Sequence, residues 1–225
     1  MAARLTLTAY GPDAWLLRFA EQPGEAAWQA ARAISQALEA EPPAHLLEYV
    51  PGYTSVLLEF AAGTTAADSP ELKALLVRLR KRLGQAAAPG PIREIPVVYD
   101  GPDLPRVAEH AGLSTRAVAE LHAETIYRVA LIGFAPGFPY LDGLDPRLHT
   151  PRLDTPRPRV AAGSVAIGGA HTGIYSIPSP GGWNLIGRTE IPLFDPARVR
   201  PGREAEMCWL QMGDRVRFVP KRGGK

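Results

Sequence analysis

From Gly133 to the end of the chain, proline and glycine recur between short apolar runs such as "GSVAIGG", "GIYSI", "MCWLQM" and "DRVRFV". This punctuation limits the fold more than any other feature. Proline removes a backbone donor and breaks a helix interior, and the runs are too short to make helices of ordinary length. Many short strands joined by tight turns remain, the texture of a β-barrel or an irregular sandwich rather than of alternating strand and helix.

The first third reads differently. "RLTLTAY" alternates, with Leu5 and Leu7 on one face, and "AWLLRF" follows as a second strand. "GEAAWQAARAISQALEA" places Trp28, Ala31, Ile34 and Leu38 at helical spacing, and Pro42 and Pro43 end the helix. "HLLEYV" and "YTSVLLEF" are two more strands separated by a Pro51-Gly52 turn. Ser69-Pro70-Glu71 opens a second helix with an apolar stripe of Leu72, Leu75, Leu76 and Leu79. The order is ββαββα. "GQAAAPGPIRE" then breaks the pattern, so a domain boundary is expected there, with domains 1–88 and 89–225. Beyond it lie a strand, "REIPVVYD", short helices from Leu104 and from Ser114, and the strand "IYRVALIGF".

Composition excludes several classes of function. With 25 basic and 23 acidic residues the formal charge is +2, which gives no pull toward nucleic acid or an anionic membrane. The single cysteine, Cys208, precludes an internal disulfide framework and is read as a buried, inert thiol in a strand-like run. The N-terminal stretch lacks a long apolar segment, and no run approaches membrane-spanning length, so a cytoplasmic protein is expected.

Four stretches carry possible chemistry. "GGWNLIGRT" nearly matches a phosphate-binding loop, with Arg188 at the lysine position. Such a loop needs a helix after it, but "EIPLFDP" follows, and Trp183, Leu185 and Ile186 are bulky for a phosphate cradle. The match is read as coincidental, leaving Gly181-Gly182 for close backbone approach and Arg188 as an anion fork. "DLPRVAEHAGLSTRAVAELHAE" resembles a DNA-reading helical pair but offers only Arg116 as a reader, so it is taken as a helical hairpin packed on the sheet. "RLHTPRLDTPRPRVAAG" sets Arg147, Arg152, Arg157 and Arg159 among prolines, either as a solvated loop or as an anion-binding rim. "GFAPGFPYLDGL" concentrates aromatics in one loop, suited to a pocket wall or partner surface, with Phe134 or Phe138 plugging the barrel.

Five histidines show no metal-ligand spacing, and no bound metal is expected in this chain. The residue types point to Arg157, Arg159 and Arg188 as anion holders, with Gly181, Gly182 and Trp183 shaping the loop. Phe138, Tyr140 and Tyr175 are expected to line the same pocket, and His122 is the candidate for proton transfer. The competing reading is that the arginines brace the barrel through Asp142, Asp154 and Asp195.

"GFAPGFPYLDGLD", "TPRLDTPRPRV", "AGSVAIGG", "TGIYS" and "SPGGWNLIGRT", followed by "LFDP" and "GDRVRF", resemble in order the KipI and allophanate-hydrolase-subunit-1 family. "EYVPGYTSVLLEF" echoes that family's N-terminal domain. The resemblance implies an α+β chain of two domains, the small ββαββα unit and a cyclophilin-like β-barrel. The family includes the B component of bacterial 5-oxoprolinase, an ATP-hydrolysing enzyme that opens 5-oxo-L-proline to L-glutamate. The resemblance therefore implies a subunit inactive alone. Its partners would be a C component of the allophanate-hydrolase-subunit-2 type and an A component of the LamB/YcsF type, with ATP and Mg acting at the assembled complex. Two other roles belong to the family pattern: inhibition of a sensor histidine kinase, and a subunit of allophanate hydrolase or a urea-carboxylase-like enzyme.

Overall fold

The computed structural model describes residues 5–65, 69–83, 89–200 and 204–221. Arg4 of the first expected strand and residues 84–88 of the expected linker lie outside them. The chain divides into two compact units, Met1–Ala88 and Pro89–Lys225.

In the first unit the elements run β1 (Thr6–Ala9), β2 (Ala14–Arg18), α1 (Glu25–Ala40), β3 (Leu46–Pro51), β4 (Ser55–Phe60) and α2 (Pro70–Arg82). The strands form an antiparallel sheet in the order β1-β2-β4-β3. Alternation decides which face is covered: Trp15, Leu17, Val56, Leu58 and Phe60 are buried. Trp28, Ile34 and Leu38 of α1 are buried too, as are Leu72, Leu75 and Leu79 of α2, while Leu76 is only half-buried. The Ser69 hydroxyl accepts a hydrogen bond from the Leu72 amide at 3.2 Å and Pro70 occupies the first turn, so α2 starts where a side-chain cap and a missing donor coincide.

The second unit contains β5 (Ile92–Val97), α3 (Leu104–Ala111), α4 (Thr115–Glu124), β6 (Ile126–Ile132), β7 (Pro139–Asp142), β8 (Arg157–Val160), β9 (Ser164–Gly168), β10 (His171–Ile174), β11 (Ser179–Gly181), β12 (Asn184–Arg188) and β13 (Arg215–Pro220). Seven strands make one sheet in the order β12-β9-β10-β7-β6-β13-β5, while β8 and β11 pair separately. Among the described strands only β5 and β13 run parallel. The sheet curls until its two edges meet. Val98, just past β5, and Arg188, at the end of β12, exchange backbone hydrogen bonds of 2.9 Å each way. Gly187 permits that approach, because a Cβ there would lie 2.6 Å from the Val98 carbonyl oxygen.

Val97, Tyr127, Val129, Leu141, Ile167, Ile174, Ile186 and Phe218 fill the curled sheet. Val107 of α3 and Val118 of α4 join the same core, with Gly112 in the left-handed conformation between the helices. The helical pair is thus a hairpin packed on the sheet. Arg116, its one candidate reader, is exposed and near its own helix partner Glu120 at 3.7 Å. The stretch around Cys208 departs from expectation. Glu204–Met207 is a 3-10 turn, Cys208 makes a single bridge to Phe194, and the thiol is half-buried. Leu210 is buried in the main core and Trp209 packs against it, without the alternation of a strand. Burial raises the thiol pKa, which disfavours the reactive thiolate.

If closure of the sheet depends on backbone contact at Gly187, then Gly187→Val lowers stability by about 2 kcal/mol. Urea denaturation of this chain would report it as a lower midpoint with an unchanged slope.

Candidate functional site

The β6–β7 connection builds an aromatic cluster. Phe134 adopts φ 70°, a backbone region that side-chain-bearing residues seldom occupy, and leaves its ring 63% exposed. The loop is held shut by the Gly133 amide donating to the Phe138 carbonyl (3.0 Å) and the Phe138 amide donating to the Ala135 carbonyl (3.0 Å). The Ser176 hydroxyl pins it further by donating to the Pro136 carbonyl at 2.6 Å. Phe138 is the plug. It meets Phe134, Tyr140, Tyr175 and Trp183 edge-on, with ring centroids 5.1–5.4 Å apart. Two glycines make the floor flat: a Cβ at Gly168 would overlap the Trp183 indole, and one at Gly181 would overlap the Tyr175 hydroxyl.

Cations stand around this cluster. The Arg152 guanidinium lies 5.7 Å from the Trp183 ring centroid, within cation–π range. Arg157 faces Gly181 across the β8–β11 pair. Its Nη2 donates to Asp103 Oδ1 at 2.7 Å, while Asp103 Oδ2 accepts from the Leu185 amide at 2.7 Å. One buried carboxylate therefore ties the start of α3 to β8 and β12. Beside it Arg106 donates to Asn184 Oδ1, and the Asn184 amide group donates to the carbonyls of Pro151 and Ile167, both at 3.0 Å. Arg157 Nη1 is buried with no hydrogen-bond partner among the described residues. Burial raises the Tyr175 pKa, partly offset by a hydrogen bond from the Trp183 amide and by the charges of Arg152 and Arg157.

The structure thus brings together Phe138, Tyr140, Tyr175, Gly181, Trp183 and Arg157. Gly182 adjoins them, its carbonyl accepting from the Leu153 amide at 2.7 Å. The expected pocket lining needs correction. Phe138 and Tyr175 are each only 2% exposed, because they pack against each other, so they form a floor and not the walls of a cavity. Arg159 is exposed on β8, two residues beyond Arg157. Arg188 does not join the group. It ends β12, roughly 15 Å of strand beyond Trp183, and pairs with Asp100 at 3.0 Å. "GGWNLIGRT" is accordingly the end of β11, a turn and β12, with no helix to present amides. The bracing partners are Asp103 and Asp100, not Asp142, Asp154 and Asp195. Asp103 had no signal beyond its place before a helix, since its arginine lies 54 residues away.

His122 sits elsewhere, fully buried and stacked 4.6 Å from Phe218. The Thr172 hydroxyl donates to the Ala166 carbonyl (2.9 Å), so it accepts from His122 Nε2 (2.9 Å). Nδ1 then accepts from the Tyr99 hydroxyl at 2.8 Å. Both ring nitrogens are used and the ring is sealed from solvent, which makes this a neutral core histidine and corrects its candidacy for proton transfer. Burial lowers its pKa from 6.5 to about 3. Among the described residues no group of three or more His, Cys, Asp or Glu is arranged to hold a metal ion. No described helix is long and apolar enough to cross a membrane.

Residues 5–203 match the family model described as carboxyltransferase domain, subdomain C and D, and the chain belongs to that family. Among curated relatives, the B component of 5-oxoprolinase from Escherichia coli O157:H7 is 45% identical over 188 residues, 80% of each chain. The component of the same name from Bacillus subtilis (strain 168) is 34% identical over 231 residues, 97% of this chain and 94% of that one. These relatives agree with the family read from the motifs. Among solved structures, TTHA0988 superposes with a TM-score of 0.79 at 44% identity, over 94% of this chain. This chain spans only 40% of TTHA0988. The Kluyveromyces lactis urea amidolyase matches with a TM-score of 0.74 at 22% identity, over 98% of this chain and 15% of its own, a likeness of fold.

Two measurements probe the site's supports. Asp103→Ala strands the Arg157 guanidinium and the Leu185 amide, and should cost about 2–3 kcal/mol in chemical denaturation. The second concerns pH. His122 protonates near 6.5 when unfolded and near 3 when folded, so the unfolded state binds more protons between those values. Its contribution is complete above pH 6.5 and falls with pH below it, by about 2 kcal/mol from pH 7 to pH 5. His122→Gln should remove this part of the slope in denaturation curves at the two pH values.

Proposed function

We propose that this chain is the B component of an ATP-dependent 5-oxoprolinase, which opens 5-oxo-L-proline to L-glutamate together with the A and C components. The observation that carries this reading is the 45% identity to the 5-oxoprolinase B component of Escherichia coli O157:H7 over 80% of both chains. The site chemistry supports it. The substrate is a small, flat lactam bearing a carboxylate, and its phosphorylated form carries further negative charge. Arg152, Arg157 and Arg159 offer the cations, and the exposed ring of Phe134 beside the half-buried Tyr140 offers an aromatic surface, with the buried Trp183 supporting it from beneath. The buried, unpartnered Nη1 of Arg157 is a donor suited to an anion that would satisfy it. Within this proposal the second unit is a cyclophilin-like barrel, and the protein acts in the cytoplasm.

Because β12 is a strand and supplies no phosphate loop, in the proposal ATP meets this chain through its arginines. In the proposal the nucleotide and Mg are held at the assembled complex, where ATP would supply the phosphoryl group that activates the lactam. Arg157 and Arg159 hold charge on the substrate side. Neighbours that are already packed keep the guanidinium of Arg157 oriented without reorganisation during reaction. The chain alone is inactive, and the C component, of allophanate-hydrolase-subunit-2 type, and the A component, of LamB/YcsF type, complete the site.

Reconstitution tests the proposal. Glutamate release from 5-oxoproline with ATP should require all three purified chains, and a well-folded trio without turnover would sink it. In the active complex, Arg157→Lys keeps a cation but loses the fork, and should lower kcat/KM by about tenfold or more. Unchanged turnover with only a lower Tm would leave Arg157 as a brace.

A further inference from the structure

The uncovered face of the first unit's sheet is organised in three rows along its hydrogen-bonding direction. Strand register sets them. Thr6, Arg18 and Ser55 lie opposite one another across β1, β2 and β4. Thr8, Leu16, Leu57 and Val50 form the next row on this face. Ala14, Glu59 and Glu48 form the third. The face therefore has a cation at one end, an apolar strip in the middle and two carboxylates at the other end.

Three observations show that this face is unfinished. Val50 is 47% exposed, and Leu16 and Leu57 are half-buried, although all three are large and apolar. Glu48 and Glu59 are like charges directly opposite each other on neighbouring strands, an arrangement that costs stability unless a cation offsets it. Arg18, Glu48 and Glu59 are all exposed, and none forms an ion pair within the described residues.

We infer that this face docks against the same face of a second copy of the chain. Its charge pattern is self-complementary. A two-fold axis lying between the two sheets and along the Leu16–Leu57 row reverses direction along the strands but keeps lateral position. It stacks Leu16 on Leu16, Leu57 on Leu57 and Val50 on Val50. It also carries each Arg18 over the Ala14–Glu59–Glu48 row of the other copy, twice per dimer. Sheets stack about 10 Å apart, a gap that an arginine and a glutamate side chain together bridge. The alternative axis, parallel to the strands, would keep the Arg18 row over the Arg18 row and the carboxylate row over the carboxylate row, so it pairs no arginine with a carboxylate and is disfavoured by charge. Such an isologous contact closes on itself and forms a dimer, not a filament. The strip is smaller than the roughly 800 Å² per partner of a standard interface, so the dimer should be of micromolar strength and sensitive to salt.

Sedimentation equilibrium of the full chain alone, from low micromolar to several hundred micromolar, tests this. The expected result is a reversible monomer–dimer equilibrium whose dissociation constant rises at high salt. Val50→Lys, on the exposed edge strand, should weaken the dimer at least tenfold. Arg18→Glu and Glu59→Arg should each weaken it similarly, and the double variant Arg18→Glu/Glu59→Arg should recover most of the loss. Circular dichroism confirms that each variant is folded. A chain that stays monomeric throughout overturns the inference, as does a dimer indifferent to Val50→Lys or a charge swap that fails to rescue. A monomeric chain whose assembly with the C component is abolished by Val50→Lys also overturns it, assigning the face to that partner.

Discussion

The second unit depends on one buried carboxylate. Asp103 is 8% exposed and uses both oxygens, one for the Arg157 guanidinium and one for the Leu185 amide. A lone carboxylate in that position would be expensive to desolvate, so the charge is tolerable only because its partners are fixed. The cost returns as specificity. Arg157 sits on β8, in the two-stranded pair outside the main sheet, and the ion pair ties that pair to β12 and the start of α3. The neighbouring Arg106–Asn184 contact and the Asn184 bonds to Pro151 and Ile167 extend the same network into the proline-rich loop.

Polar groups inside the barrel follow one rule. The line from Tyr99 through His122 and Thr172 to the Ala166 carbonyl crosses an otherwise apolar core, and every member has a defined donor or acceptor role. The chain of bonds selects the neutral imidazole and a single tautomer. A histidine at the end of a helix is an attractive acid–base candidate when only the helix is known. Enclosure by Tyr99, Tyr127 and Phe218 converts it into a core residue.

The aromatic cluster owes its position to what is missing beneath it. Gly168 and Gly181 carry no Cβ where Trp183 and Tyr175 lie, so the rings settle directly on backbone. Packing Phe138 and Tyr175 so closely leaves Phe134 as the ring that reaches solvent, at the cost of a left-handed backbone. The rim of cations and this one exposed ring give the surface its character, with the other rings serving as support.

The amino-acid sequence by itself determined the local elements. Helix caps at Ser69 and Ser114, helical spacing in Trp28–Leu38, alternation in "AWLLRF" and "SVLLEF", and the Pro/Gly punctuation are all short-range effects, and they act before any tertiary contact forms. The motif run from Gly133 to Phe218 also carried the family. Pairings between distant residues needed the folded chain. Residue types alone offered Arg157, Arg159 and Arg188 as equals. Strand register separated them, placing Arg157 beside Gly181 and Tyr175 and sending Arg188 to the seam with Val98. Asp103 meets Arg157 across 54 residues and Leu185 across 82, separations at which spacing carries no information. Burial of His122 is likewise a property of the closed sheet, because only the assembled core supplies the walls that exclude water from it.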